Sequence, residues 1–317
     1  MTQQTICVLG ISGFVGAHVA AAALAHGYHV KGGLRHPESR DINWLEAMAQ
    51  QSATKGATLS LHHYDIETPD TLPALLADTV GVICSAGTEK QDLATTRIMT
   101  DMAQSVCEAA IAAGVPAVFT SSTGSTNPPD GDPELKNEID HWSDEIVQLE
   151  QGKHAPLGKT RLDKIVLQHM QTHPSFRGCT INPSMICGPC WQSEPARGLK
   201  SYAAIVKGER LADKVPNGSM SMIDARDLAE LHLAALLNDT ARGRYFGVKQ
   251  SWHWRDIMAA LERQVPGYSM PAIDPDEEPV RPTAFDTSRR DSLGVTVRDL
   301  DAIIEAHIDA MRAHNLI

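Results

Sequence analysis

The chain has 317 residues, 42% of them hydrophobic and 21% charged, with a net charge of −11. That length buries one large core or two smaller ones, and the balance is that of a globular protein. Net acidity argues against a nucleic-acid or anionic-membrane surface, which needs clustered Lys and Arg, and no run approaches the roughly eighteen apolar residues of a membrane span. The opening MTQQ leads straight into an apolar run, with neither the basic segment nor the cleavable apolar region of a secretion signal. Six cysteines, several within apolar runs, read as thiols of a reducing compartment, so the expected location is cytoplasmic.

Residues 6–9 (ICVL) suit a strand covered on both faces. Gly10, Gly13 and Gly16 follow at G-x-x-G-x-x-G spacing, and an alanine-rich helix pattern begins at once. Gly10 lets the chain turn sharply off the strand, Gly13 lets backbone approach a pyrophosphate, and Gly16 lets the helix pack close to the sheet. The N–H groups and positive dipole end of the helix then face the phosphates. Glycines also mark ordinary turns. Strand, turn and helix in this order point to dinucleotide binding.

Further strands are expected at 28–34, 57–62, 80–85, 115–121 and 180–186, with helices at about 41–54 and 92–113. The second helix stops at Gly114. Strands alternating with helices imply right-handed crossovers and a parallel sheet, an α/β fold. The proline-rich stretch 266–282 reads as a long loop over a pocket, because helical sequence resumes after it.

By the sixth strand the chain resembles the extended short-chain dehydrogenase/reductases, and within them the dihydroflavonol reductase, cinnamoyl-CoA reductase and aldehyde reductase group. The resemblance rests on GISGFVG at 10–16, LRHPES at 34–39, FTSSTGST at 119–126, HWSDE at 141–145, GKTRLDKIVLQ at 158–168, INPSMICGP at 181–189 and MSMIDARDLAELHLAAL at 220–236. It implies a Rossmann-type, doubly wound NADP-binding domain over 1–186, with 220–248 returning to it. Residues 187–317 then form mainly a smaller substrate-binding region. It also implies that Phe14, Val15, Ser85, Ala86, Pro183 and Ser184 lie along the cofactor, with Asp65 and Ile66 beside the adenine. A small-molecule substrate is the expected partner, and a homodimer is admissible.

Cofactor choice follows from charge. NAD sites usually carry an acidic residue after the second strand to hold the ribose 2′-hydroxyl. Here Gly32, Gly33 and Leu34 are followed by Arg35. A guanidinium grips a 2′-phosphate that a carboxylate would repel, so NADP(H) is expected. The bland alternative is a solvated surface arginine.

Several motifs read as decoys. Cys187-Gly-Pro-Cys190 spells a thioredoxin redox pair, but it follows the sixth strand and coincides with the family's Gly-Pro turn. His62-His63 and Trp252-His253-Trp254 lack the converging ligands of a zinc site, so no metal is expected; a helix capped after Ser251 explains the trio better. The sequon at Asn217 has no role in a cytoplasmic protein.

In the family a Ser binds the substrate carbonyl, a Tyr donates the proton, and a Lys four residues later lowers the Tyr pKa and holds the nicotinamide ribose. The matches put the Ser role on Ser122 and the Lys role on Lys159. Ala155 stands where the Tyr is expected, and no Tyr occurs between Tyr64 and Tyr202. Pro156 suits a first helical position, which would leave His154 and Ala155 extended, outside the helix. His154 is then a candidate replacement proton donor, with a solvated loop residue as the bland reading. Three readings remain open: a carbonyl reductase with another proton source, a reductase of conjugated acceptors such as enones or quinone methides, and a non-catalytic NADP(H)-binding sensor. Residues 190–218, with Trp191 and Tyr202, and 268–285 are expected to line the substrate pocket.

Overall fold

The computed structural model describes residues 3–38, 43–54, 56–88 and 92–317. β1 (Thr5–Leu9) carries Ile6, Cys7, Val8 and Leu9 with no exposed surface, as a strand covered on both faces requires. α1 (Phe14–Ala25) is buried nearly all round and leads to β2 (His29–Leu34), α2 (Asn43–Ser52) and β3 (Leu59–His63). α3 (Leu72–Leu76), β4 (Val82–Cys84), α4 (Leu93–Ala113) and β5 (Ala117–Thr120) continue the alternation. Asp92 caps α4 by accepting from the Thr95 N–H at 3.1 Å, and Gly114 ends it at φ 69°. The expected helix start at Asp41 and Ile42 lies outside the described residues, as does Ser39.

After α5 (Glu145–Glu150) and α6 (His154–Thr172) comes β6 (Gly178–Pro183). Among the described residues seven strands, including β9 (Gly243–Gly247), form one parallel sheet. Its order is β3-β2-β1-β4-β5-β6-β9. The order reverses between β1 and β4, where open α/β sheets hold ligands beyond their strand ends. The expected sixth strand, 180–186, is in fact two. Pro183 offers no N–H to extend the ladder, and β7 (Met185–Cys187) turns into a second sheet.

That small sheet, β10-β8-β7, joins β8 (Ser219–Asp224) and β10 (Gln250–His253) to β7. Around it pack α7 (Arg197–Val206), α9 (Trp254–Gln264) and α11 (Leu300–Ala313) in a separate core. Residues 220–224, the start of the segment expected to return to the dinucleotide-binding domain, pair within the small sheet. The return starts at α8 (Ala225–Leu237), which packs on α1, while the short α10 (Ser288–Asp291) lies against β9. His253, rather than Ser251, caps α9. Tyr202 is 1% exposed in the small core, so it lines no pocket.

The β1–α1 turn leaves no room for side chains. A Cβ on Gly16 would sit 2.2 Å from the Gly10 carbonyl oxygen, and Gly10, at φ +77°, would place one 2.6 Å from the Ala86 backbone. Gly16→Ala is therefore expected to destabilise the fold by about 1–3 kcal/mol, the scale of overpacking, read by urea denaturation. Wild-type stability in that variant would refute the close contact.

Candidate functional site

The ends of β1 to β4 open on a cavity of about 790 Å³ lined by Ser12, Gly13 and Phe14 of the turn, and by Arg35, Ile66 and Ala86. Gly13 precedes α1 without a side-chain cap, and no acidic residue stands in the first turn. The first-turn N–H groups, those of Phe14, Val15 and Gly16, have no acceptor within the helix and face the site with the positive dipole end. A diphosphate fits this turn: Ser12, Gly13 and Phe14 line the cavity, the bare Gly10 and Gly16 let the turn pack tightly behind them, and the charge is met by backbone donors.

Of the expected cofactor residues, Gly13, Phe14, Arg35, Ile66 and Ala86 line the cavity. Asp65 lies just behind, 3.5 Å from the Arg35 Nε. Tyr64, Trp44 and the segment 192–197 line it as well. Segment 192–197 falls within the stretch expected to line the substrate side, whereas no motif marked Trp44 or Tyr64, which arrive from α2 and the end of β3.

A second cluster sits at the ends of β4, β5 and β6. Lys159 donates from Nζ to the Thr120 carbonyl at 2.7 Å. Ser85 and Thr120 share a hydroxyl hydrogen bond of 2.9 Å, and Thr120 Oγ1 lies 2.8 Å from His232 Nε2. His232 is fully buried, and burial pushes its pKa down to about 4, so the ring is neutral. Its Nδ1 lies 2.7 Å from the Leu228 carbonyl, which only accepts. Nδ1 therefore carries the proton, Nε2 accepts from Thr120, and Ser85 donates to Thr120. His232 had no legible signal: its partner is 112 residues away in sequence. Pro183 ends β6 and Ser184 leads into β7; both lie outside the wall of the large cavity.

Behind this cluster, Asp163 accepts from Ser125 Oγ at 2.6 Å and Asn182 Nδ2 at 2.8 Å, with Arg244 Nε 3.2 Å away. Asn182 also donates to the Ser122 carbonyl at 3.1 Å, and Ser122 Oγ accepts from the Gly124 N–H at 3.0 Å. Arg244 stacks its guanidinium on Trp142, 3.6 Å from the ring centroid. All of Asp163 and nearly all of Arg244 are buried, so each charge depends on the other.

The start of α6 differs from expectation. The helix includes His154 and Ala155, and its first internal bond runs from the Leu157 N–H to the Lys153 carbonyl at 3.0 Å. Pro156 is tolerated because a first-turn N–H would have no partner in any case. Ala155 and Lys159 consequently share a face one turn apart, whereas His154 lies about 140° round the axis from Lys159. The His154 carbonyl accepts from Thr96 Oγ1 of α4 at 3.0 Å. An extended His154 swinging toward the nicotinamide is not what the chain does.

Burial pushes the Lys159 pKa down from 10.5 to about 8, partly opposed by Asp163. Cys187 is fully buried, and burial and Asp224 push its thiol up; burial raises Cys190 too, whose Sγ donates to Gln192 Oε1 at 3.2 Å. Raised thiol pKa values oppose the redox reading of this pair. Among the described residues no helix is long and apolar enough to cross a membrane.

The model of the NAD dependent epimerase/dehydratase family matches residues 6–246. Cinnamoyl-CoA reductase 1 of Oryza sativa subsp. japonica is 26% identical over 298 residues, covering 92% of this chain and 86% of that protein. Among solved structures, vestitone reductase from alfalfa (Medicago sativa L.) superposes with a TM-score of 0.84 at 20% identity, covering 99% of this chain and all of the other. Yeast methylglyoxal/isovaleraldehyde reductase Gre2 complexed with NADPH gives 0.81 at 18% identity, covering 99% and 100%. At these identities the solved structures speak for the fold.

The lowered Lys159 pKa has a stability consequence. Between pH 8 and 10.5 the unfolded chain binds the proton that the folded chain has released, so stability rises with pH across that window. Lys159→Met removes the burial penalty on the charge. Its stability advantage over wild type should be largest below pH 8 and shrink toward pH 10.5, measured by urea denaturation at pH 7 and 10. A pH-independent difference would refute the shift.

Proposed function

Because the chain belongs to the NAD dependent epimerase/dehydratase family, as an extended short-chain dehydrogenase/reductase, we propose that it is an NADPH-dependent reductase of a small, aromatic carbonyl or conjugated substrate, working without the Tyr. It is an NAD(P)-dependent oxidoreductase by that membership. The relatives' names supply the carbonyl-reductase reading. The observation that carries it is the Ser85–Thr120–His232 chain with Lys159 bonded beside it, next to the glycine cradle. Ser122, Lys159, Asn182 and Pro183 favour an enzyme over a sensor, which has less need of them.

NADPH, when bound, supplies the hydride. Gly10, Gly13, Phe14, Val15 and Gly16 hold the diphosphate, and Ile66, Ser85, Ala86, Pro183 and Ser184 flank the rest of the cofactor. Arg35 takes the 2′-phosphate. Its terminal guanidinium nitrogens have no partner among the described residues, and Asp65 steadies its Nε. Ser122 positions the substrate oxygen. Lys159 gives the proton to that oxygen and is recharged from solvent, a task that a pKa near 8 suits better than 10.5. His154 is set aside by the helix geometry. The segment after β7, from residue 187, forms most of the substrate side.

Two measurements test this reading. Arg35→Ala should weaken NADPH binding by about 1.5–3 kcal/mol and spare NADH; tighter NADH than NADPH binding by the wild type would reject the preference. Single-turnover hydride transfer to aromatic aldehydes, ketones and enones should collapse in Lys159→Ala and Ser122→Ala, and persist with its pH profile in His154→Ala. NADPH binding with no turnover on any acceptor would instead identify a sensor.

A further inference from the structure

Three charged side chains line the large cavity: Arg35, Glu194 and Arg197. Arg35 lies beside Asp65, and Glu194 is paired with Lys200. Arg197 is exposed and has no ion-pair partner among the described residues. It lines the same cavity as Ser12, Gly13 and Phe14 of the glycine-rich turn, at the first residue of α7.

The segment that carries it is fastened at both ends. At its start the Pro189 carbonyl accepts from His18 Nε2 of α1 at 2.9 Å, and the Trp191 ring packs on His18 at 4.4 Å. Gln192 Nε2 reaches the Ser12 carbonyl, inside the turn itself, at 3.5 Å. At its end Leu199, Tyr202, Ala203 and Ile205 bury α7 in the small core. The Arg197 backbone is thus fixed above the turn, and only its side chain remains free.

Charge arithmetic gives that side chain a task. A diphosphate bridge carries two negative charges, whereas the dipole end of α1 offers about half a unit. We propose that Arg197 binds the cofactor diphosphate together with the glycine-rich turn whose cavity it shares, so that segment 192–197 of the small lobe clamps the cofactor. This rests on the cavity being the dinucleotide site, and it deepens that reading by adding a contact from the other lobe.

The test measures dissociation constants by fluorescence or calorimetry for NADPH, NADH and adenosine 2′-monophosphate, which lacks a diphosphate. Wild type, Arg197→Gln and Arg197→Lys are compared. Arg197→Gln should loosen NADPH and NADH alike by about tenfold or more, the scale of one charged hydrogen bond, with part of the loss restored in Arg197→Lys. Adenosine 2′-monophosphate should bind both variants as it binds wild type. Unchanged NADPH affinity in Arg197→Gln overturns the proposal, as does a loss confined to NADPH or shared by adenosine 2′-monophosphate. A wild type that binds neither NADPH nor NADH overturns the reading of the cavity instead. Arg197 is exposed, so an unchanged melting curve separates these outcomes from misfolding.

Discussion

The contact between the Gly16 Cα and the Gly10 carbonyl sets the geometry from which the rest of the molecule follows. A helix that passes this close to its own turn needs a residue without a side chain at Gly16, and its first N–H groups then point beyond the sheet. Gly10 touches the Ala86 backbone at the end of β4, so the same constraint fixes the gap between β1 and β4. That gap is where the strand order reverses. Binding site and fold are here one steric fact.

A second constraint lies behind β5 and β6. Asp163 and Arg244 are charges removed from water, so each depends on the other. Arg244 donates to the carbonyls of Ser125 and His141, and its flat face rests on Trp142. Asn182 and Ser125 both donate to Asp163 Oδ2, and its buried Oδ1 has no hydrogen-bond partner among the described residues. This lattice ties α6, β6 and β9 to the loop after β5, and it fixes the backbone carrying Ser122 without touching a substrate. Ser122 inherits the placement of its backbone from these buried groups.

Ala155 stands one helical turn before Lys159, where the resemblance implies a Tyr. Lys159 keeps its bond to the Thr120 carbonyl, and Thr120 keeps its hydroxyl between Ser85 and a neutral His232. With no phenol beside it, the lysine is held in a half-buried site that favours the neutral amine.

The sequence by itself determined the parallel sheet, the glycine turn, the bounds of α4 and the absence of the Tyr. Each of these is written in local terms: apolar runs, a capping Asp92 and a terminal Gly114, and residue types at fixed spacing. The tertiary structure alone decided where β6 breaks, where α6 begins, and that β8 joins the small sheet. Pro156 is compatible with several first-turn positions, and a strand's partners are chosen by packing rather than by its own residues. It alone also brought His232 to Thr120, Arg244 to Asp163, and Arg197 to the wall of the cavity. Those meetings join residues 112, 81 and more than 180 positions apart, and folding creates them by closing loops whose ends carry no mark of each other.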